Sequence, residues 1–102
     1  MRIDVVGRQI EVTDAIRTHA EEKAGKLPTF YDGVQAVRVT LSREDHHTHG
    51  RFHAEVVADV QKHADFVSHA THEDLYAAID EAAKKVSRQL TEFKERLKQS
   101  RH

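Results

Sequence analysis

The sequence predicts an α+β two-layer domain of order β-α-β-β-β-α, with a four-stranded mixed sheet and both helices on one face of it. Two observations carry this prediction. Apolar residues alternate with polar ones in four segments, and two other segments carry apolar residues at helical spacing. The 102 residues are enough for a single domain, spanning 1–102, and 38% hydrophobic residues provide one modest core.

Strand positions follow from the period-two alternation. The clearest run extends from Phe52 to Val60. A strand, a helix and another strand in succession favour a right-handed crossover, so we expect the first two strands to be parallel and the others to follow as antiparallel hairpins. Residues 42–50 are charged and rich in histidine, which indicates a loop. The predicted strands are residues 2–7, 37–41, 52–60 and 66–70.

Two helices are predicted from apolar stripes at helical spacing. The first begins after Thr13, a good N-cap, and ends near Pro28, which cannot continue a helix. Thr71 is the expected cap of the second helix, which covers about 27 residues or roughly 40 Å. We expect its last turns to project beyond the core of so small a domain. The stripes are Ile16, Ala20, Ala24 and Leu27 in the first helix, and Leu75, Ile79, Ala82, Val86, Leu90, Phe93 and Leu97 in the second.

The composition excludes several classes of function. There is no cysteine, so disulfides, thiolate metal sites and cysteine nucleophiles are ruled out. The sequence contains no run of about 18 apolar residues, the length that a membrane span requires. Its N-terminus shows no secretory signal, so a cytoplasmic location is expected. Glycine-rich phosphate loops and the GxSxG and HExxH patterns are also missing. The sequence therefore predicts neither an enzyme nor a cofactor.

The formal net charge of −1 conceals an uneven distribution. Residues 82–102 hold seven basic and two acidic residues, whereas residues 1–81 hold nine basic and fifteen acidic ones. This asymmetry indicates either an anionic partner or a solvated helix face. Lys23 and Lys26 point away from the apolar stripe of the first helix. If the helices lie side by side, we expect these lysines to form one basic surface with the second helix, through Lys84, Lys85, Arg88 and Arg96.

Histidines cluster in the predicted loop and at the start of the next strand. Four of the nine lie within eight residues, at His46, His47, His49 and His53. Two or three imidazoles can bind zinc or nickel. The competing interpretation is an exposed loop that tolerates histidine, and no metal site is predicted.

The helical segments resemble those of the ribosome hibernation-promoting factors, a family also known as ribosome-associated inhibitors or light-repressed proteins. The start of the chain, with IDVVG and then EVTDAIR, is similar to the family's first strand and helix cap. Lys23 and Lys26 match its basic first-helix ending. The second helix carries the family's pattern in DLYAAID from position 74, followed by Lys85, Arg88, Gln89, Leu90, Lys94, Leu97 and Lys98.

This resemblance implies a domain that binds the small ribosomal subunit and its 16S rRNA, in the channel of the mRNA and the A- and P-site tRNAs. It implies repression of translation in starvation or stationary phase, in the bacterial cytoplasm. The length resembles the short form of the family, which in some bacteria acts with a separate ribosome modulation factor, and a monomer is expected. The residues implied to face rRNA are Lys23, Lys26, Lys85, Arg88, Lys94 and Lys98, which Lys84 and Arg96 join on helix geometry alone.

Two other classes of function are open at this point. One is a module that binds duplex RNA or an acidic protein and does not act on ribosomes. The other is a metal-dependent enzyme that uses the histidine-rich loop, which ranks last because no general base or nucleophile accompanies the histidines.

Overall fold

Within the residues that the structure describes, the fold consists of a four-stranded sheet, two α-helices and a short 3₁₀ helix. The computed structural model describes residues 1–44 and 51–100. Its order β-α-β-β-β-α and its mixed sheet confirm the predicted fold class. In chain order the elements are β1 (Arg2–Arg8), α1 (Asp14–Gly25), a 3₁₀ helix (Leu27–Thr29), β2 (Val34–Glu44), β3 (Arg51–Val60), β4 (Phe66–His72) and α2 (Leu75–Gln99).

The strands lie in the order β1-β2-β3-β4, with β1 parallel to β2 and the other neighbours antiparallel. Strand register aligns Val5, Val39, Val56 and Ser68 in one row, and all four are buried. The hydroxyl of Ser68 donates to the carbonyl of Ala82 in α2 at 2.6 Å. Because residues of both helices join the core over this row, we infer that both cover one face of the sheet. The helical core residues are Ala20, Ala24, Leu75, Ala78, Ile79, Ala82, Val86 and Leu90.

The opposite face of the sheet carries polar side chains of both signs. Arg38 is exposed there, and Glu55 and Asp59 are half-buried. A shallow depression of about 330 Å³ runs over this face and is lined by arginines as well as carboxylates. Neither sign of charge dominates, so this face offers no extended basic surface to a phosphate backbone.

α2 begins later than Thr71, the residue expected to cap it. Thr71 lies in β4, where it pairs with His53 of β3, so extended backbone continues past it. The cap is Asp74, whose carboxylate Oδ1 accepts a hydrogen bond from the amide of Tyr76 at 3.0 Å. The prediction of Thr71 was wrong because strand pairing holds this residue in the sheet.

β2 is longer than the alternating pattern indicated. It continues to Glu44, which pairs with Arg51 of β3, so residues 42–44 form strand rather than loop. The candidate metal ligands His46, His47 and His49 lie outside the residues that the structure describes.

The last turns of α2 extend beyond the buried core. Leu90 is the last buried residue of this helix, which continues to Gln99, while Phe93 and Leu97 are only partly buried. Long as it is, α2 lacks the apolar stretch needed to cross a membrane, and so does every other helix in residues 1–44 and 51–100.

Replacing Leu90 with alanine is expected to lower the free energy of unfolding by about 2–5 kcal/mol, because it opens a cavity in the core. The same change at Leu97 should cost less than about 1 kcal/mol, since this side chain is only partly buried. Urea unfolding followed by circular dichroism measures both. Equal losses would contradict the position of the last turns of α2.

Candidate nucleic-acid interface

α1 and α2 touch through side chains along a seam. Thr13 caps α1 as predicted, since its hydroxyl accepts from the amide of Ile16 at 3.2 Å. His19 places its ring against Tyr76 of α2, edge to face, with 5.0 Å between ring centroids. Nε2 of His19 lies 2.7 Å from Oδ1 of Asp80 and donates to it, because an ionised carboxylate can only accept. These contacts hold the helices side by side, so cations on one helix lie close to those on the other.

A groove runs along the seam near the C-terminal end of α1, and we call it the lysine groove. It has a volume of about 290 Å³. Lys23 and Lys26 reach it from α1, and Lys84 reaches it from α2. Lys26 and Lys84 are exposed, so their ammonium groups are available to an anion in solution. The lining residues are Lys23, Lys26, Leu27, Phe30, Asp80, Ala83, Lys84 and Ser87.

Asp80 is the one carboxylate among these lining residues. Its Oδ1 accepts from His19 and lies 3.7 Å from the ammonium of Lys23. An ion pair this open to solvent contributes at most about 1 kcal/mol to stability. Its main consequence is local, because a negative charge beside Lys23 reduces the attraction of the groove for other anions.

The sign of the charge changes along the seam. A depression that extends along α1 from its N-terminal end is bordered by Asp14 and Glu22 together with His19 and Tyr76. The cations are therefore concentrated at the other end, beside the 3₁₀ helix, and a polyanion is attracted to that end.

Lys85 lies on the opposite flank of α2, against β4. Its ammonium donates to the carbonyl of His69 at 2.7 Å, and the side-chain amide of Gln89 donates to the carbonyl of Val67 at 3.2 Å. These bonds satisfy backbone carbonyls of an edge strand. The sequence predicts one basic surface in which both Lys84 and Lys85 join the lysines of α1. Lys84 shares a groove with them, and Lys85 does not line it.

The other predicted cations of α2 are exposed and divide between its flanks. Lys94 and Lys98 follow Ser87 by seven and eleven residues, so helical periodicity places them on the flank of the lysine groove. By the same spacing, Arg96 lies on the β4 flank and Arg88 lies between the two flanks.

His53 is the candidate metal ligand that the structure describes. Its Nε2 is 3.0 Å from Nδ1 of His69, and its Nδ1 is 3.0 Å from the hydroxyl of Thr71. Within residues 1–44 and 51–100, no three histidine, aspartate or glutamate side chains converge to hold a metal ion. His53 instead takes part in hydrogen bonds between β3 and β4.

Three residues of the seam were not predicted from the sequence, namely His19, Asp80 and Phe30. A signal for Asp80 was present, because it precedes Lys84 by four residues, the spacing at which an acid and a lysine share a helix flank. No comparable signal marked the other two. Their positions depend on which flank of α2 faces α1, and helical periodicity does not specify this.

A profile of the family described as Sigma 54 modulation protein / S30EA ribosomal protein matches residues 3–98. The chain belongs to this family. The ribosome hibernation promoting factor of Azotobacter vinelandii is 36% identical over 97 residues, covering 94% of this chain and 85% of that relative. The Escherichia coli K12 protein of the same name is 35% identical over 101 residues, covering 97% of this chain and 99% of the relative.

Solved structures share the fold. The N-terminal domain of Thermus thermophilus Protein Y has a TM-score of 0.78 and 33% sequence identity, and the match covers 91% of this chain and 99% of that one. A ribosomal subunit interface protein from Coxiella burnetii has a TM-score of 0.81 over 93% of this chain and 99% of that one. At 17% identity, the second comparison shows the fold alone.

Replacing Asp80 with asparagine is expected to tighten binding to a polyanion such as heparin by about two- to fivefold, because it removes a negative charge from the lysine groove. Glu81→Gln is the matched control, since it changes the net charge equally at the adjacent, exposed position. Calorimetric titration with heparin measures both. Equal tightening would show that total charge, not the groove, governs the affinity.

Proposed function

We propose that the protein is a ribosome hibernation factor. It binds the small ribosomal subunit in the channel of the mRNA and the A- and P-site tRNAs, and it represses translation in starvation or stationary phase. The observation that carries this proposal is the lysine groove, where Lys23 and Lys26 of α1 meet Lys84 of α2. The names of the relatives from A. vinelandii and E. coli support the same role.

The groove suits the phosphate backbone of 16S rRNA. Each lysine that contacts a phosphate releases condensed counterions, which favours binding and makes it depend on salt. An ammonium group acts as a point charge, so it positions a protein on nucleic acid without reading the base sequence. Once positioned, the domain represses translation by occupying the space that mRNA and tRNA require, and no chemical step is needed.

α2 extends this basic surface beyond the groove. Lys94 and Lys98 continue its flank, and the C-terminal end of a helix favours cations because its last carbonyls carry partial negative charge. Lys85 and Arg96 lie on the β4 flank, and we assign them no contact with phosphate. The residues to which we assign contact with 16S rRNA are Lys23, Lys26, Lys84, Arg88, Lys94 and Lys98.

Exchanging both Lys26 and Lys84 for glutamate should abolish cosedimentation with small ribosomal subunits, because two attractive contacts with phosphate become repulsive. The matched control is the double variant Arg2→Glu and Arg8→Glu, which changes the net charge equally on the sheet face away from the helices. This control should still sediment with the subunits. Circular dichroism checks that both variants are folded.

Retained binding by the lysine variant would contradict the assigned surface, and so would equal loss in the two variants. A parallel titration of the wild-type protein with generic duplex RNA distinguishes the proposed function from the main alternative function. If the wild-type protein binds that duplex as tightly as it binds small subunits, a duplex-binding module that does not act on ribosomes is the better description.

Adjacent lysines of α2 should differ in their effect on the salt dependence. Lys84→Gln is expected to reduce the slope of log K against log salt by about 1, because one phosphate contact is lost. Lys85→Gln should leave the slope nearly unchanged, since the Lys85 ammonium is bonded to the carbonyl of His69. Fluorescence anisotropy of dye-labelled protein with small subunits, over a series of salt concentrations, measures both. A larger change for Lys85 would reverse the assignment of the flanks.

A further inference from the structure

Phe30 is an exposed aromatic residue at the edge of the lysine groove. It is 38% exposed and lines the groove together with the three lysines. A phenyl ring exposed at this edge presents an apolar π face to a ligand that binds in the groove. The other three phenylalanines are partly buried and pack against neighbouring rings or the core, namely Phe52, Phe66 and Phe93.

The backbone around Phe30 holds this position. Leu27 is buried at the start of the 3₁₀ helix, and its carbonyl accepts from the amide of Phe30 at 3.0 Å. The next residue, Tyr31, packs edge-on against Phe93 of α2, with 5.2 Å between ring centroids. Gly33 permits this packing, because a Cβ at position 33 would clash with the Tyr31 ring. Tyr31 is thereby anchored to α2, and Phe30 borders the groove.

We propose that Phe30 stacks on an unpaired base of the rRNA strand whose phosphates lie in the lysine groove. Proteins that bind single-stranded nucleic acid combine cations along the backbone with aromatic rings on which bases stack. Bases inside a duplex are stacked on both faces and offer no free face to a side chain. This inference rests on the proposed function and narrows its target to a single-stranded segment of 16S rRNA.

Three variants test whether the Phe30 ring contributes to binding, and the affinity of each for small ribosomal subunits is measured. Phe30→Leu keeps an apolar side chain without a π face, and it should weaken binding by about 5- to 150-fold. Phe30→Tyr keeps the ring and should stay within about twofold of the wild-type protein. Val6→Ala is the control, since Val6 is 42% exposed and pairs with Thr40 on the sheet face away from the helices, and it should bind normally. Thermal unfolding checks that each variant is folded.

A second measurement tests the single-stranded target. The chain has no tryptophan, so Phe30→Trp introduces a single indole at the groove. Single-stranded oligoadenylate should quench its emission by stacking, whereas a duplex RNA of the same length should not. Tyr76→Trp, the matched control, should show little change with either RNA.

Several outcomes would overturn the inference. They are wild-type affinity of Phe30→Leu, equal losses in Phe30→Leu and Phe30→Tyr, no quenching of Phe30→Trp by oligoadenylate, or equal quenching by the duplex. If Phe30→Leu binds normally while the Lys26 and Lys84 double variant does not, stacking is wrong and the proposed function stands. If the wild-type protein does not bind small subunits, the proposed function itself fails.

Discussion

Close packing of α1 and α2 over one face of the sheet is the constraint on which the proposed contacts with RNA depend. α1 buries Ala20 and Ala24, and α2 buries Ala82 and Ala83. Side chains this small let neighbouring helices approach closely, and the approach brings lysines of both helices to one groove. Ala83 also lines that groove, so a larger residue there would fill the space between the cations. The residues that form the core therefore also set the spacing of the charges.

The same two helices engage both edges of the sheet. Arg17 of α1 donates to the carbonyl of Val5 in β1 at 3.4 Å, and Lys85 of α2 donates to the carbonyl of His69 in β4 at 2.7 Å. An edge strand otherwise presents unpaired backbone groups to which further strands can add. Some basic side chains of the helices thus bond to a sheet edge, namely Arg17 and Lys85, and others line the groove, namely Lys23, Lys26 and Lys84. This division, more than the number of positive charges, determines which lysines are available to phosphate.

Periodicity predicted the elements of the fold but little of the relation between them. Alternation and helical spacing gave the four strands and both α-helices in the right order, because each of these elements buries one face or stripe. They did not indicate which flank of α2 faces α1, and Lys84 and Lys85 therefore have roles that the sequence analysis did not separate. Thr71 was misassigned because a capping residue and a strand residue look alike until the pairing with β3 is known. Phe30 was not predicted for another reason. The short segment after Pro28 shows no periodic spacing of apolar residues, so the sequence does not indicate which of its side chains are exposed.

A chain of nearly neutral net charge can bind a polyanion where several of its cations are concentrated at one site. Asp4, Glu55 and Asp59 lie on the sheet face away from the helices. A helix about 10 Å across, together with the sheet itself, separates that face from the outer surface of α1 and α2. The Debye length at physiological salt is only about 8 Å, so a phosphate in the lysine groove is screened from those carboxylates. Asp80 lies within the groove, and it therefore opposes the binding of phosphate more than any carboxylate on the opposite face.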